Sequence, residues 1–174
     1  MDTLVRDIRK GDVALAALLT ALGVWLMVEN INAGPQQGVR IDSHSWLMVP
    51  VFAVATLPLL WRRRSMTGVL VVTGVALAAH VALFDWVVRC GAGLPLSFAL
   101  AYSAGRLMRG RAAVLGLLAT VGIQVLVQVR DSAAGLGVIP VTALIALAAW
   151  GVGAWLQRRA VDSVPVAAPA ESYV

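Results

Sequence analysis

Six long apolar runs, broken only by short polar segments, constrain this chain more than any other feature. They cover Val13–Ile31, Trp46–Trp61, Met66–Trp86, Leu94–Leu107, Ala112–Val129 and Val138–Leu156. A helix needs about 20 apolar residues to cross a hydrocarbon core of about 30 Å, and the runs come close to that length. They are continuously apolar instead of alternating, which excludes the strands of a transmembrane barrel. In lipid such a run satisfies its backbone groups only as a helix. Hydrophobic residues make up 60% and charged residues 13% of the 174 positions. That is about half the charge a soluble domain uses to cover its surface, and the hydrophobicity excludes disorder. The expected fold is all-α: a polytopic six-helix transmembrane bundle occupying residues 13–159, after a short N-terminal segment over 1–12.

The charges orient the bundle. Lys and Arg tend to stay on the cytoplasmic side of bacterial inner-membrane proteins. With a cytoplasmic N-terminus, that side receives Arg6, Arg9, Lys10, then Arg62, Arg63, Arg64, then Arg106, Arg109, Arg111, and last Arg158 and Arg159. The external side receives Arg40, Arg89 and Arg130, each with an acid nearby in sequence: Asp42, Asp85 and Asp131. Eleven bases against three place both termini inside the cell. Thirteen Arg against one Lys, with abundant Ala, Val, Leu and Gly, suggest a GC-rich bacterial genome, so the expected location is a bacterial cytoplasmic membrane. The net charge of +5 is therefore a topology signal and not a nucleic-acid footprint.

The runs carry further local expectations. The first is too long for a cleaved signal peptide and reads as a retained span. Pro50 and Pro58 lie within the second and should kink it. The fourth starts either near Cys90 or at Leu94; from Leu94, Pro95 falls in its first turn, as Pro140 does in the sixth. Trp46, Trp86, Trp61 and Trp155 fall at span ends, where indoles favour the headgroup level, while Trp25 and Trp150 sit deeper as packing residues. Residues 160–174 lack a periodic apolar face and read as a disordered cytoplasmic tail.

Polar residues inside a membrane are the first candidates for function. Glu29 is expected to pair with Arg40 or Arg89, or to sit in a solvated cluster with Asn30 and Asn32. His80, in the third span and shortly before Asp85, is either a neutral hydrogen-bonded core residue or a sensor of external pH. Gln124 and Gln128 share a helical face and should bind a neighbouring helix, with Tyr102 and Ser103 as partners. His80, Asp85, Gln124 and Gln128 are also the path candidates if the protein moves a solute. The basic turns at Arg62, Arg63, Arg64, Arg106, Arg109, Arg111, Arg158 and Arg159 should attract anionic lipids.

No catalytic constellation accompanies them. The chain has no His-Glu-x-x-His and no phosphate loop, and Asp42, Ser43 and His44 are neighbours in sequence without forming a triad. Cys90 is the single cysteine and lacks partners at metal-ligand spacing. No enzyme activity, cofactor or metal is expected. Small residues at Ala17 and Ala21, Ala112 and Gly116, and Gly151 and Gly153 allow close helix packing, including self-association into a homodimer.

The run Leu57–Arg64 closes the second span and leads straight into another. Leu100–Arg106 precedes a basic turn, and Ala146–Arg159 ends a span in a double Arg. This order resembles the N-terminal transmembrane sensing region of actinobacterial two-component sensor histidine kinases, the type paired with LuxR/NarL regulators, over roughly residues 8–160. The resemblance implies a membrane-sensing bundle. It carries over no catalytic residue, because the fifteen residues after Arg159 contain neither a His nor a Gly-rich ATP lid. The expected function is that of a stand-alone sensor-type membrane module responding to membrane state, a lipophilic ligand or a membrane or cytoplasmic signalling partner. A small transporter or channel, and the anchor of a split kinase, are the alternatives.

Overall fold

A computed structural model describes residues 8–34 and 39–162. The described chain is helical, with no strand. Its elements are α1 (Lys10–Asn32), α2 (Met48–Thr56) continued by a 3-10 segment (Leu57–Trp61), α3 (Met66–Phe84), α4 (Cys90–Leu107) and α5 (Gly110–Gln128). A 3-10 turn (Leu136–Val138) then leads into α6 (Ile139–Asp162). Among the described residues four helical stretches are long and apolar enough to cross a membrane: Lys10–Asn32, Met66–Phe84, Gly110–Gln128 and Leu136–Asp162.

Several boundaries differ from the sequence expectation. Helix α2 begins at Met48, so Pro50 falls in its first turn, where a missing N–H costs little. Only Pro58 interrupts the second span, at the switch from α-helix to 3-10 geometry. Helix α4 takes the earlier of its two expected starts, Cys90, which puts Pro95 inside it and leaves the Gly91 carbonyl without its usual helical donor. Helix α6 continues beyond Arg159 to Asp162, so residues 160–162 are not part of a disordered tail. The rest of that tail, 163–174, and the N-terminal residues 1–7 lie outside the described residues. Trp25 is 60% exposed on the outside of α1 and is not a packing residue, whereas Trp150 is half-buried and donates to the Ala113 carbonyl at 3.0 Å.

Helix α4 is the centre of the packing, against α6, α5 and α1, while α2 lies between α1 and α3, and α3 meets α5. Small residues explain the central place of α4: Ala92, Gly93, Ser97, Ala101, Ser103, Ala104 and Gly105 are all buried. They let neighbouring backbones come close, the main route to association between helices in an apolar medium. The closest approach is to α6. A Cβ on Gly105 would overlap the Trp150 carbonyl, and one on Gly153 would overlap the Tyr102 carbonyl. Gly116 meets α4 similarly, where an added Cβ would lie 2.9 Å from the Ala104 Cβ. Hydroxyls tie the other helices, with Thr20 and Thr56 sharing a 2.8 Å hydrogen bond and Thr73 donating to the Ala55 carbonyl at 2.9 Å.

The outer surface is apolar. Leu18, Val75, Leu83, Leu115, Leu144 and Trp25 are each at least 60% exposed, on four different helices. A water-soluble monomer rarely presents apolar area on every side. Here the belt belongs to the same helices that are long enough to span a bilayer.

Candidate functional site

Polar groups gather in three places: at each end of the helices and along one interior seam. At one end the hub is Arg89, which precedes α4 and has no exposed surface. Its guanidinium is held by Nε to His80 Nδ1 at 3.1 Å, by Nη1 to the Arg130 carbonyl at 3.0 Å, and by Nη2 to the carbonyls of Asp85 and His80. Burial lowers the guanidinium to about 10, so it remains charged at neutral pH. An arginine can only donate, so His80 Nδ1 must accept and the ring carries its proton on Nε2. The His80 ring is also boxed by Phe52 and Phe84, with centroids at 5.6 Å and 4.8 Å. Its Nε2 is buried without a partner, so His80 is enclosed and does not face external water.

The connections around Arg89 interlock. Asp131, from the α5–α6 connection, accepts from the backbone N–H of Arg89 at 2.6 Å and of Cys90 at 2.7 Å, capping the start of α4. Asn30, near the end of α1, grips Val88 on both sides: its Oδ1 accepts from Val88 N at 3.0 Å and its Nδ2 donates to Val88 O at 2.8 Å. His44 Nδ1 lies 3.0 Å from the Ile31 carbonyl and 3.2 Å from the Asn30 carbonyl, closing the end of α1. Asp85 and Arg130 both adopt positive φ, 48° and 55°, a region non-glycine residues seldom enter.

These contacts revise the pairings expected from sequence. Arg40 does pair with Asp42, at 2.8 Å, and that hydrogen bond holds the Asp42 carboxyl below its ordinary range. Arg130 instead faces Asp85, with Nη1 3.2 Å from Oδ1, a charge contact without hydrogen-bond alignment. Asp131, its sequence neighbour, is used as the α4 cap. Arg89 meets the backbone carbonyl of Asp85 and not its carboxylate. Glu29 pairs with neither Arg40 nor Arg89; it is exposed and makes no ion pair among the described residues, while its neighbour Asn30 is the buried clamp.

Along the seam, Gln124 Nε2 donates to Ser97 Oγ and to the Thr142 carbonyl, both at 3.1 Å, and Gln128 Nε2 donates to Thr142 Oγ1 at 3.1 Å. The two glutamines thus join α4, α5 and α6. Their partners are Ser97 and Thr142; Tyr102 and Ser103 lie nearer the other end of α4. Both glutamine Oε1 atoms are buried without a partner.

At the opposite end the basic turns converge. Asp12, fully buried in the first turn of α1, accepts on Oδ1 from Arg62 Nε at 2.7 Å and on Oδ2 from Arg63 Nε at 2.8 Å. Arg62 Nη1 also donates to Ser103 Oγ at 2.9 Å, joining α1, the α2–α3 turn and α4. A recess of about 310 Å³ above this cluster is lined by Arg9, Arg62, Arg63, Tyr102, Ser103, Arg106 and Leu107. Arg109 and Arg158 line a neighbouring recess, Arg159 stacks 3.9 Å from the Trp155 ring, and Arg111 is exposed on α5. Arg64 ends the α2–α3 turn, its N–H bonded to the Trp61 carbonyl at 2.9 Å. Asp12 and Thr142 were not singled out from sequence, and Asn30 and Asp131 were expected only as neighbours of Glu29 and Arg130. Asp12 carried the one usable signal, as an acid at the mouth of an apolar run among basic turns.

On the side of the molecule, α3 and α5 diverge around an apolar groove of about 590 Å³. Leu70, Val71 and Val75 form one wall and Leu115, Ala119 and Leu126 the other, with Gly74 and Gly122 keeping it open. An added Cβ at Gly122 would meet nothing within 4 Å. No group of three or more metal-ligating side chains occurs among the described residues. Comparison with family models, curated proteins and solved structures finds no match for this chain.

Proposed function

We propose that the protein is a non-catalytic, six-span module of a bacterial cytoplasmic membrane, with both termini inside, that senses a lipophilic ligand through the α3–α5 groove. The observation that carries this is the groove itself. It is almost wholly apolar, opens on the face of two helices long enough to span a bilayer, and has the volume of a small-molecule site. Its walls are helices joined to opposite halves of the molecule: α3 to α2, and α5 to α4 and α6. An acyl chain or similar lipophile seated there would spread or close the pair and so change the spacing of the basic turns at their ends. Such an output suits a sensor input region of the histidine-kinase type, with a separate or appended signalling partner receiving it. The buried, fully engaged Arg89 and the packed glutamine seam support sensing over solute transport, since neither leaves an open polar path.

A diazirine-bearing fatty acid, photolysed with the purified protein in phosphatidylcholine nanodiscs, tests the groove. Labelling should concentrate on peptides containing Val71 and Leu115, be competed by unlabelled fatty acid, and fall several-fold in Ala119→Trp. Uniform labelling of all outward-facing helices, unchanged by Ala119→Trp, would overturn the groove reading. Solute flux into liposomes that is abolished by His80→Ala would instead establish the transport alternative.

A further inference from the structure

We infer that the recess at the Arg-rich end binds a phosphate oxyanion. Four arginines, Arg9, Arg62, Arg63 and Arg106, line it, and Asp12 is the carboxylate that Arg62 and Arg63 contact. That carboxylate is already saturated. It takes Arg62 and Arg63 as described, Arg62 Nη2 at 2.7 Å, and the backbone N–H of Arg9 at 3.1 Å. It also lies beneath the surface with no exposed area, so it fixes the floor of the recess without neutralising its mouth. Four positive charges against one negative leave an excess of three facing a small concavity.

The donors match the chemistry. Among the described residues Arg63 is engaged only through Nε, which leaves its two terminal nitrogens for a ligand. Arg106 makes no hydrogen bond or ion pair among the described residues, and Tyr102 lines the same space. Guanidinium forks bind phosphate oxygens bidentately, and a phosphate has enough oxygens to satisfy several forks at once where a carboxylate has two. Arg62 is locked in place by Asp12 and Ser103, so part of the site is ordered before the ligand arrives. The recess is too small and too concave for a nucleic-acid backbone or a protein face. It also borders Leu107, at the end of α4, and so lies at the edge of the apolar belt. A lipid headgroup and a free phosphate-bearing solute share the required chemistry.

The inference does not depend on the sensing role of the groove and is tested separately. In one arm the full chain in neutral detergent is titrated with inorganic phosphate at constant ionic strength set by chloride, following thermal unfolding by tryptophan fluorescence. In the other, it is placed in phosphatidylcholine nanodiscs with increasing phosphatidic acid. Arg106→Gln and Arg9→Gln remove recess charge without touching the side-chain contacts of Asp12, and Arg158→Gln is the control outside the recess. Saturable stabilisation is expected in at least one arm, with apparent affinity reduced about fivefold by each recess substitution and unchanged by the control. Saturation with phosphatidic acid alone assigns a headgroup, with inorganic phosphate alone a soluble ligand, and in both arms a site open to either. The inference is overturned by the absence of saturation in both arms, by equal losses in Arg158→Gln, or by unchanged affinity in Arg106→Gln. Arg106→Gln decides the matter by itself if Arg9→Gln does not fold.

Discussion

Replacing Gly153 by alanine should weaken the fold, while the same replacement two residues earlier, at Gly151, should strengthen it. Alanine is the better helix former, by up to about 1 kcal/mol per position, and that gain is common to both sites. The surroundings differ. A Cβ at Gly151 meets nothing within 4 Å. A Cβ at Gly153 overlaps the Tyr102 carbonyl and lies 2.9 Å from the Arg106 nitrogen and 3.2 Å from the Gly105 carbon. All three are backbone atoms of α4, so no side-chain rotation relieves the clash, and α6 must shift by on the order of 1 Å to restore ordinary contact. Overpacking of that kind costs about 1–3 kcal/mol. The shift also strains the facing contact, where Gly105 lies against the Trp150 carbonyl, and the Trp150–Ala113 hydrogen bond. The net expectation is a loss of about 1–2 kcal/mol for Gly153→Ala, a factor of about 5–30 in the folded-to-unfolded ratio, and a gain of about 0.5 kcal/mol for Gly151→Ala. Equilibrium unfolding in mixed micelles by SDS titration, followed by far-UV circular dichroism and tryptophan fluorescence, measures both. Equal stability of the two variants would refute the assignment of the α4–α6 crossing to backbone contact at glycine.

Three further outcomes follow from the polar clusters. Asp12→Asn leaves Arg62 and Arg63 without their buried counter-charge and should cost about 3 kcal/mol in the same unfolding assay, because removing one member of a buried pair strands the other. Asn30→Ala removes both bonds to Val88 and should cost about 1–2 kcal/mol, with faster hydrogen exchange at the Val88 amide by mass spectrometry; unchanged exchange there would count against the clamp. Glu29→Gln should change stability by less than about 0.5 kcal/mol, since Glu29 is exposed and unpaired among the described residues, and a larger loss would show an ion partner the contacts omit. For the proposed orientation, a periplasm-dependent reporter fused after Arg130 should be active and one fused after Arg64 inactive; the reverse pattern would invert the topology.

The elements were largely visible in the sequence, because helices in an apolar medium advertise themselves by length and hydropathy alone. Their ends were less visible. The sequence left the start of α4 open between Cys90 and Leu94, because the group that decides for Cys90, the carboxylate of Asp131, lies some forty residues away. The Pro95 position follows from the same cause, since a helix capped from outside can begin before its proline. Charged pairs were misassigned for a related reason. Sequence adjacency suggested Arg130 with Asp131, but the positive φ at Arg130 turns that side chain toward Asp85 across the loops. Glu29 drew attention as the acid in the first span, whereas the uncharged Asn30, with both donor and acceptor, does what the loop needs. Gln124 and Gln128 were recognisable as inter-helix contacts from their spacing, but Thr142 and Ser97 could not be chosen as partners without the crossing geometry.

The capping of α4 by Asp131 bears on how the chain is made. Helix α4 is not among the helices long and apolar enough by length and composition to cross a membrane; it carries Ser97, Ser103, Arg106 and three glycines. Its flanking helices α3 and α5 qualify on their own. During synthesis, α4 therefore emerges from the ribosome before the carboxylate that closes its first turn and before the two helices, α5 and α6, that cover its small-residue faces. In the proposed six-span arrangement its placement in the bilayer waits for them, and the order of insertion need not follow the order of the sequence. Truncating the chain after Gly110 should leave α4 outside the bilayer, while truncating after Asp162 should not.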